Sequence, residues 1–293
     1  MKVRTRDKIT GVAFVIPALV LFVLFTVYPI INTFIMGFFS WNGYNPHKVF
    51  VGFTNFIQVF NDRTFWLGVR NIVILALSAF AFMNTIALVL AVLVSTKLPG
   101  VKVFRVVFYL PVMLSGIVVG FVWRWLFNGD AGLINAVVRT LGLPGLAHDW
   151  LNAGGTAMFA IVVASIWQGI GASFILYLAA LTSVPNELYE SASIDGATFF
   201  QKLFNITLPS IRPMMTIVII LTMVGAVGTY QVVLALTNEG PAGATTVPMV
   251  YILNMMQKYF NYGYATAMAV VLGLMLLVLS LVRLYFDRRK DNA

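Results

Sequence analysis

Three carboxylates share one short polar stretch, Pro185-Asn186-Glu187-Leu188-Tyr189-Glu190-Ser191-Ala192-Ser193-Ile194-Asp195-Gly196-Ala197, and they are the only Asp or Glu between Asp149 and Glu239. No nucleophile in the chain stands beside a base and an orienting residue. The two histidines, His47 and His148, lie far apart and read as surface residues, and there is no cysteine for a disulfide, thiolate metal site or redox pair. The chemistry left to the carboxylates is electrostatic. Ser183-Val184-Pro185 starts a helix, since proline is accepted in a first turn, and Glu187 and Glu190 then lie near its N-terminus, where the macrodipole favours negative charge. Leu188 and Ala192 share one face at i,i+4 spacing. Gly196 interrupts, and a second helix runs from Thr198 to Thr207, with Phe200, Leu203, Phe204 and Thr207 at helical spacing. Leu208-Pro209 is read as its stop, with Arg212-Pro213 opening the next segment. Two readings of this elbow at 183–213 stand side by side: an amphipathic connector on a membrane surface, or a docking module whose small Ser191, Ala192 and Ala197 admit a partner.

The elements that hold the elbow are apolar. Of 293 residues, 60% are hydrophobic and only 10% charged, against roughly 25% charged in a soluble domain. The mean hydropathy is +0.91. A soluble core cannot hide so much apolar surface, so lipid must be the solvent. A spanning helix needs about 20 residues, and the chain offers six such runs: Ile9 to Ser40, Asn71 to Thr96, Val106 to Trp123, Ala157 to Leu181, Pro213 to Thr237 and Asn261 to Val282. The basic start Met1 to Lys8 suits a signal peptide, but the following apolar run is too long for one and lacks a small-residue cleavage site. It reads as a retained helix, with bends at Pro17 and Pro29. Pro111 falls near the start of the third run, where proline is tolerated best.

Six spans leave both termini on one side. That side carries Lys2, Arg4, Arg6, Lys8, Lys97, Lys102, Arg105, Lys202, Arg212, Arg283, Arg288, Arg289 and Lys290, 13 cations. The other side has only 6, Lys48, Arg63, Arg70, Arg124, Arg139 and Lys258. The positive-inside rule therefore makes the termini and the elbow cytoplasmic. Trp41, Trp66, Trp123, Trp125 and Trp150 fall at outer span ends or in outer loops, where indole prefers the interface. The net charge of +9 thus sets topology and does not mark a nucleic-acid site. No charge sits in the middle of a span, which argues against an ion-driven machine. No Gly-Lys pair exists, hence no phosphate loop. Energy is expected to enter from outside the membrane.

The string Glu190-Ser191-Ala192-Ser193-Ile194-Asp195-Gly196-Ala197, followed by Phe204, Ile206, Leu208-Pro209 and Pro213, resembles the EAA loop of binding-protein-dependent ABC importer permeases. Ser191 alone departs from the opening Glu-Ala-Ala. Gly52 to Phe56, Phe108 to Pro111, Leu236 to Pro241 and Tyr262 to Ala265 are similar to the carbohydrate branch. Phe14 to Trp41 resembles the maltose, lactose and glycerol-phosphate subunit class with an extra N-terminal span. Asn238-Glu239-Gly240-Pro241 stands where that branch has Gly-Gly-Gly-Pro or Asn-Gly-Gly-Pro.

The resemblance implies an all-α, six-span type I importer fold in a single permease domain over 1–293, placed in a bacterial or archaeal cytoplasmic membrane. It implies no enzyme activity and no cofactor on this chain, with ATP and Mg on two separate ABC ATPase subunits. Glu190, Ser191, Ala192, Asp195, Gly196, Ala197, Leu208 and Pro209 would form the coupling contact. The other implied partners are a second homologous permease, an extracytoplasmic sugar-binding protein, an oligosaccharide, disaccharide or polyol phosphate, and membrane lipid. The same resemblance puts Ser165, Trp167, Gln168 and Gly169, with Gly225, Gly228, Thr229, Tyr230 and Gln231, along the solute path. Amide, hydroxyl and aromatic groups suit sugars, although small residues in spans also serve helix packing. The alternatives are a secondary sugar transporter working without ATP, a membrane anchor or sensor that docks a cytoplasmic protein, and an importer for another solute such as a polyamine.

Overall fold

A computed structural model describes residues 15–95 and 101–291, except for the side chains of 101, 279, 280 and 282–291. The basic residues of Met1 to Lys8, Lys97 in the turn before the third run, and the side chains of Arg283, Arg288, Arg289 and Lys290 lie outside that description. Helices dominate because the apolar runs must satisfy every backbone donor and acceptor internally once water is excluded. In chain order they are α1 (Val15–Met36), α2 (Thr54–Asn61), α3 (Arg63–Ser95), α4 (Val101–Tyr109), α5 (Gly116–Leu126), α6 (Leu133–Thr140), α7 (Gly154–Thr182), α8 (Asn186–Ile194), α9 (Phe199–Leu236), α10 (Pro248–Gln257) and α11 (Tyr262–Asp291). A two-residue hairpin of β1 (Phe39–Ser40) and β2 (Val49–Phe50) is antiparallel, with Phe39 opposite Phe50.

Among the described residues four helices, α1, α3, α7 and α9, are long and apolar enough to cross a membrane. At 1.5 Å per residue, the 29 residues of α7 reach roughly 43 Å, more than a hydrocarbon core of about 30 Å. The third apolar run is not one continuous span. It divides into α4 with its 3-10 extension Leu110–Met113 and then α5, at an angle of 101°. Proline at 111 removes a donor, and Ser115 restarts the helix by accepting the Val118 amide at 3.4 Å. Of the sixth run, Tyr262–Val278 forms the apolar part of α11.

Proline also behaves differently from expectation in α9. Leu208-Pro209 does not end a helix, and Pro213 lies inside one. A π turn at Leu203–Thr207 lets the Leu208 amide bond to Leu203 O, so the ring of Pro209 follows a widened turn. The same device precedes Pro29, where a π turn at Val23–Val27 keeps α1 continuous. A third π turn, Ala79–Met83 in α3, has no proline after it.

The chain divides into two compact units, residues 1–65 with 251–293 and residues 66–250. In the first unit Asn55, only 7% exposed, donates to the carbonyls of Gly37 at 2.9 Å and Phe39 at 3.0 Å. A Cβ on Gly263 would overlap the Phe39 carbonyl, so only glycine lets α11 pass β1. Asp62 accepts from the amides of Thr64 (2.7 Å) and Phe65 (3.2 Å), from the Tyr251 hydroxyl (2.9 Å) and from the Tyr264 hydroxyl. The Gly52–Phe56 and Tyr262–Ala265 segments are thus the packing kit of this unit.

Burial pushes the Asp62 carboxyl up, but the tyrosine hydroxyls and the two amides outweigh it and hold it below the ordinary carboxylate value. A depressed value means stability present above about pH 4 and lost as pH falls through the folded value. Asp62→Asn is expected to cost about 1–3 kcal/mol at pH 7, read as a lower Tm in detergent. The gap to wild type should close in acid; a gap that stays constant down to pH 3 contradicts the assignment.

Candidate functional site

The elbow is built by three local devices. Pro185, in an extended conformation, precedes α8 and therefore stands just outside it, one residue earlier than the helix itself. Gly196 adopts φ +77°; its amide bonds to Ser193 O at 3.2 Å while that of Ala197 bonds to Ala192 O at 2.9 Å. This is a Schellman closure, which requires a left-handed residue that glycine adopts without penalty. Thr198 then opens α9 with a capping box, its amide donating to Gln201 Oε1 at 2.7 Å and its hydroxyl accepting the Gln201 amide at 3.4 Å. Across the bend, Tyr189 Oη meets Thr207 Oγ1 at 3.0 Å, and Lys202 Nζ donates to Ser193 Oγ at 2.7 Å.

What the elbow shows to the outside is apolar at its tip and acidic beside it. Ile194 is 87% exposed, and Leu188, Phe199, Phe200 and Phe204 are also exposed. The helical spacing of Phe200, Leu203, Phe204 and Thr207 does not place all four on one buried face, since only Thr207 is buried. Glu190, Ser191, Asp195 and Pro209 are open to solvent, while Ala192, Ala197 and Leu208 are half-buried.

A cavity of about 420 Å³ lies within the second unit, between α3, the 3-10 turn after α4, α7 and α9. Ser165, Gln168, Gly169, Gly225, Gly228 and Thr229 line it. Trp167, Tyr230 and Gln231 do not. Trp167 packs edge-on against Trp123 with centroids 5.8 Å apart; Tyr230 belongs to the apolar cluster around Phe127 and Val233; Gln231 faces Gly116. The glycines divide the same way. A Cβ on Gly169 would meet Met83 Sδ at 2.7 Å, whereas at Gly225 and Gly228 it would meet nothing within 4 Å. Those two do not serve close helix packing. Gly225 precedes, and Gly228 lies within, a 3-10 stretch, Ala226–Thr229, inside α9.

Among the described residues no Asp, Glu, Lys, Arg or His lines the cavity. Its polar groups are partly engaged: Ser78 donates to Ile74 O at 2.8 Å, Ser165 to Ile161 O at 2.6 Å and Thr222 to Ile219 O at 2.8 Å. Gln168 Nε2 donates to Leu114 O at 2.9 Å, the carbonyl exposed where α4 and α5 part. Each hydroxyl oxygen and the Gln168 carbonyl keep acceptor capacity.

At one end of the cavity lies a polar triad absent from the sequence reading. Asn84 Nδ2 donates to Thr222 Oγ1 at 2.9 Å and to Ala79 O at 3.0 Å, and Tyr177 Oη donates to Asn84 Oδ1 at 2.8 Å. All three residues are buried. An asparagine inside an apolar span was the available signal, since amides in spans bond across helices.

The sequence from 83 to 292 matches the family described as binding-protein-dependent transport system inner membrane component. The chain belongs to this family. As a permease it is a transport component and not an enzyme, and it is a multi-pass membrane protein. It is 34% identical to the diacetylchitobiose uptake system permease protein NgcF of Streptomyces coelicolor, over 94% of this chain and 81% of that one. It is 30% identical to the trehalose/maltose transport system permease protein MalF of Thermococcus litoralis, over 99% and 98%. Its fold superposes with a TM-score of 0.82, at 25% identity and over 97% of this chain and 95% of that one, on a chain of a bacterial alginate ABC transporter crystallised with its alginate pentasaccharide-bound periplasmic protein.

The Asn238-Glu239-Gly240-Pro241 turn is clarified as well. Asn238 (φ 45°) and Glu239 (φ 72°) both sit in the left-handed region, the conformation for which glycine is the ordinary choice. Between α5 and α7, Asn135, fully buried, donates to the carbonyls of Gly129 and His148 and accepts from Trp150 Nε1 at 2.8 Å.

Proposed function

We propose that this permease is one half of the translocation path of an ATP-driven importer for a neutral, hydroxyl-rich saccharide. The observation that carries the reading is the elbow, a bend held by its own caps that presents Ile194 and exposed phenylalanines instead of burying them. An apolar tip beside Glu190 and Asp195 suits a cleft on a separate subunit, an ATPase holding ATP and Mg. Two such subunits closing together drive alternating access. The path is completed by a second, different permease, and a solute-loaded binding protein delivers to the outer loops. The excess of basic residues on one side supports cytoplasmic termini.

Cavity chemistry supports a neutral solute. Its walls offer acceptors to sugar hydroxyls and, among the described residues, hold neither a cation for a carboxylate or phosphate nor an anion for a polyamine. Relatives named for trehalose, maltose and diacetylchitobiose transport fit this neutral class.

The test is reconstitution of the permease pair with both ATPase subunits in vesicles, adding binding proteins loaded with neutral or uronate oligosaccharides. Neutral sugars should stimulate Mg-ATP hydrolysis and enter the vesicles; uronates should do neither. Uptake that persists without the ATPase subunits points to a secondary transporter, and docking without flux points to an anchor. Stimulation by uronates alone overturns the substrate class.

A further inference from the structure

The Asn84–Tyr177–Thr222 triad occupies a particular level of the second unit. Met83 and Leu176 line the cavity, and Asn84 and Tyr177 are the next residues on their helices. Thr222 itself is part of the wall. Asn84 engages Ala79 O twice, through its backbone amide, which closes the π turn, and through its side chain. Ala79 and Met83, the ends of that turn, both face the cavity. The triad therefore fixes the shape of the cavity end at which it lies.

Beyond the triad, one continuous apolar core runs to the elbow. Ala87 and Val94 of α3, Leu181 of α7 and Ile211 of α9 are buried in it, and Tyr189, Ile206 and Leu208 pack against it. Tyr189 then reaches Thr207 across the bend. Apolar packing alone lets helices slide in lipid, because the lipid tails offer equivalent contacts. A hydrogen bond to a buried amide does not, since no water replaces the lost partner.

We propose that the triad clamps α3, α7 and α9 into one rigid lever between cavity floor and elbow, with Asn84 as the positioning residue. This rests on the importer reading above. Displacement of the elbow by its ATPase is then transmitted to the cavity floor as a whole, and the α3-to-elbow distance stays constant through the nucleotide cycle.

The chain has no cysteine, so Phe82→Cys and Asn186→Cys introduce two spin labels, both at exposed positions, in a complex with cysteine-free partners. Pulsed distance measurement on the reconstituted complex, without nucleotide and with Mg-ATP plus vanadate, should give one narrow distance common to both states. Thr222→Val, which removes the acceptor, should replace it with a broad, nucleotide-dependent distribution, and Thr222→Ser should restore it. Tyr177→Phe makes the same test if Thr222→Val does not assemble. A narrow, unchanged distance in the valine or phenylalanine variant overturns the lever. So does a shift with Mg-ATP in the labelled parent. A complex that hydrolyses no Mg-ATP removes the importer reading instead, which separates the two failures.

Discussion

Gly196→Val is expected to leave the permease inserted and assembled but to cut sugar-stimulated ATP hydrolysis about 5- to 30-fold. The cause is local. Gly196 sits at φ +77°, and an L-residue in left-handed conformation costs roughly 1–2 kcal/mol, with a β-branched side chain at the high end. That penalty corresponds to the stated factor in the population of the correctly bent elbow. Steric collision is not involved, because a Cβ at 196 would meet nothing within 4 Å. Gly196→Asn therefore serves as the control: asparagine tolerates the left-handed region and should retain most of the stimulation. The measurement is hydrolysis by the reconstituted complex with and without loaded binding protein, normalised to assembled complex. Equal loss in both variants would mean that side-chain bulk at the interface matters and the Schellman bend does not. Equal retention in both would remove the coupling role of the bend.

The contrast between elbow and spans explains what could be read directly from residue types. The bend of the elbow was legible because its signals are local: a glycine between two helical stretches and a proline before the first; the Thr198–Gln201 capping box, three residues apart, was an equally local signal that went unread. Apolar runs were legible for the same reason, one solvent imposing one composition. Proline misled twice. Leu208-Pro209 looked like a stop, but the π turn at Leu203–Thr207 widens the helix just before the ring arrives and α9 continues. Pro111, expected to sit quietly near a span start, instead lies in a 3-10 turn at a 101° break. Neither outcome is written in the proline alone, since both depend on what the neighbouring helices bury. The triad was illegible for a different reason. Tyr177 lies 93 residues from Asn84 and Thr222 lies 138 from it, and no period of 3.6 links positions on three separate helices. Of the proposed path residues, those on the inner faces of α7 and α9 meet at the cavity. Trp167 and Tyr230 sit beside cavity-lining neighbours yet are rotated away, because successive helical residues diverge by about 100°.

Two glycines of similar appearance in sequence should respond in opposite ways, and the difference tests the cavity. A Cβ on Gly171 would overlap the Phe108 carbonyl and lie 2.9 Å from Tyr109 Cα. These are backbone atoms that cannot step aside, so Gly171→Ala must push α7 from α4. Overpacking of this kind costs about 1–3 kcal/mol or more; the expected result is less assembled protein and a lower Tm, with uptake per assembled complex close to wild type. Gly228→Phe is the converse. Open space surrounds its Cβ, so the ring can enter the cavity of about 420 Å³ without moving a helix. Assembly should be preserved, while uptake of the stimulating neutral sugar falls on the order of ten- to hundredfold, as the solute must compete with a phenyl group for the same volume. Expression-normalised uptake and thermal unfolding in detergent separate the two effects. If Gly228→Phe transports normally, solute does not pass this cavity, and the path must be sought elsewhere in the permease pair. If it fails by not assembling, the space beside Gly228 is packing space after all, and its likeness to Gly171 is real.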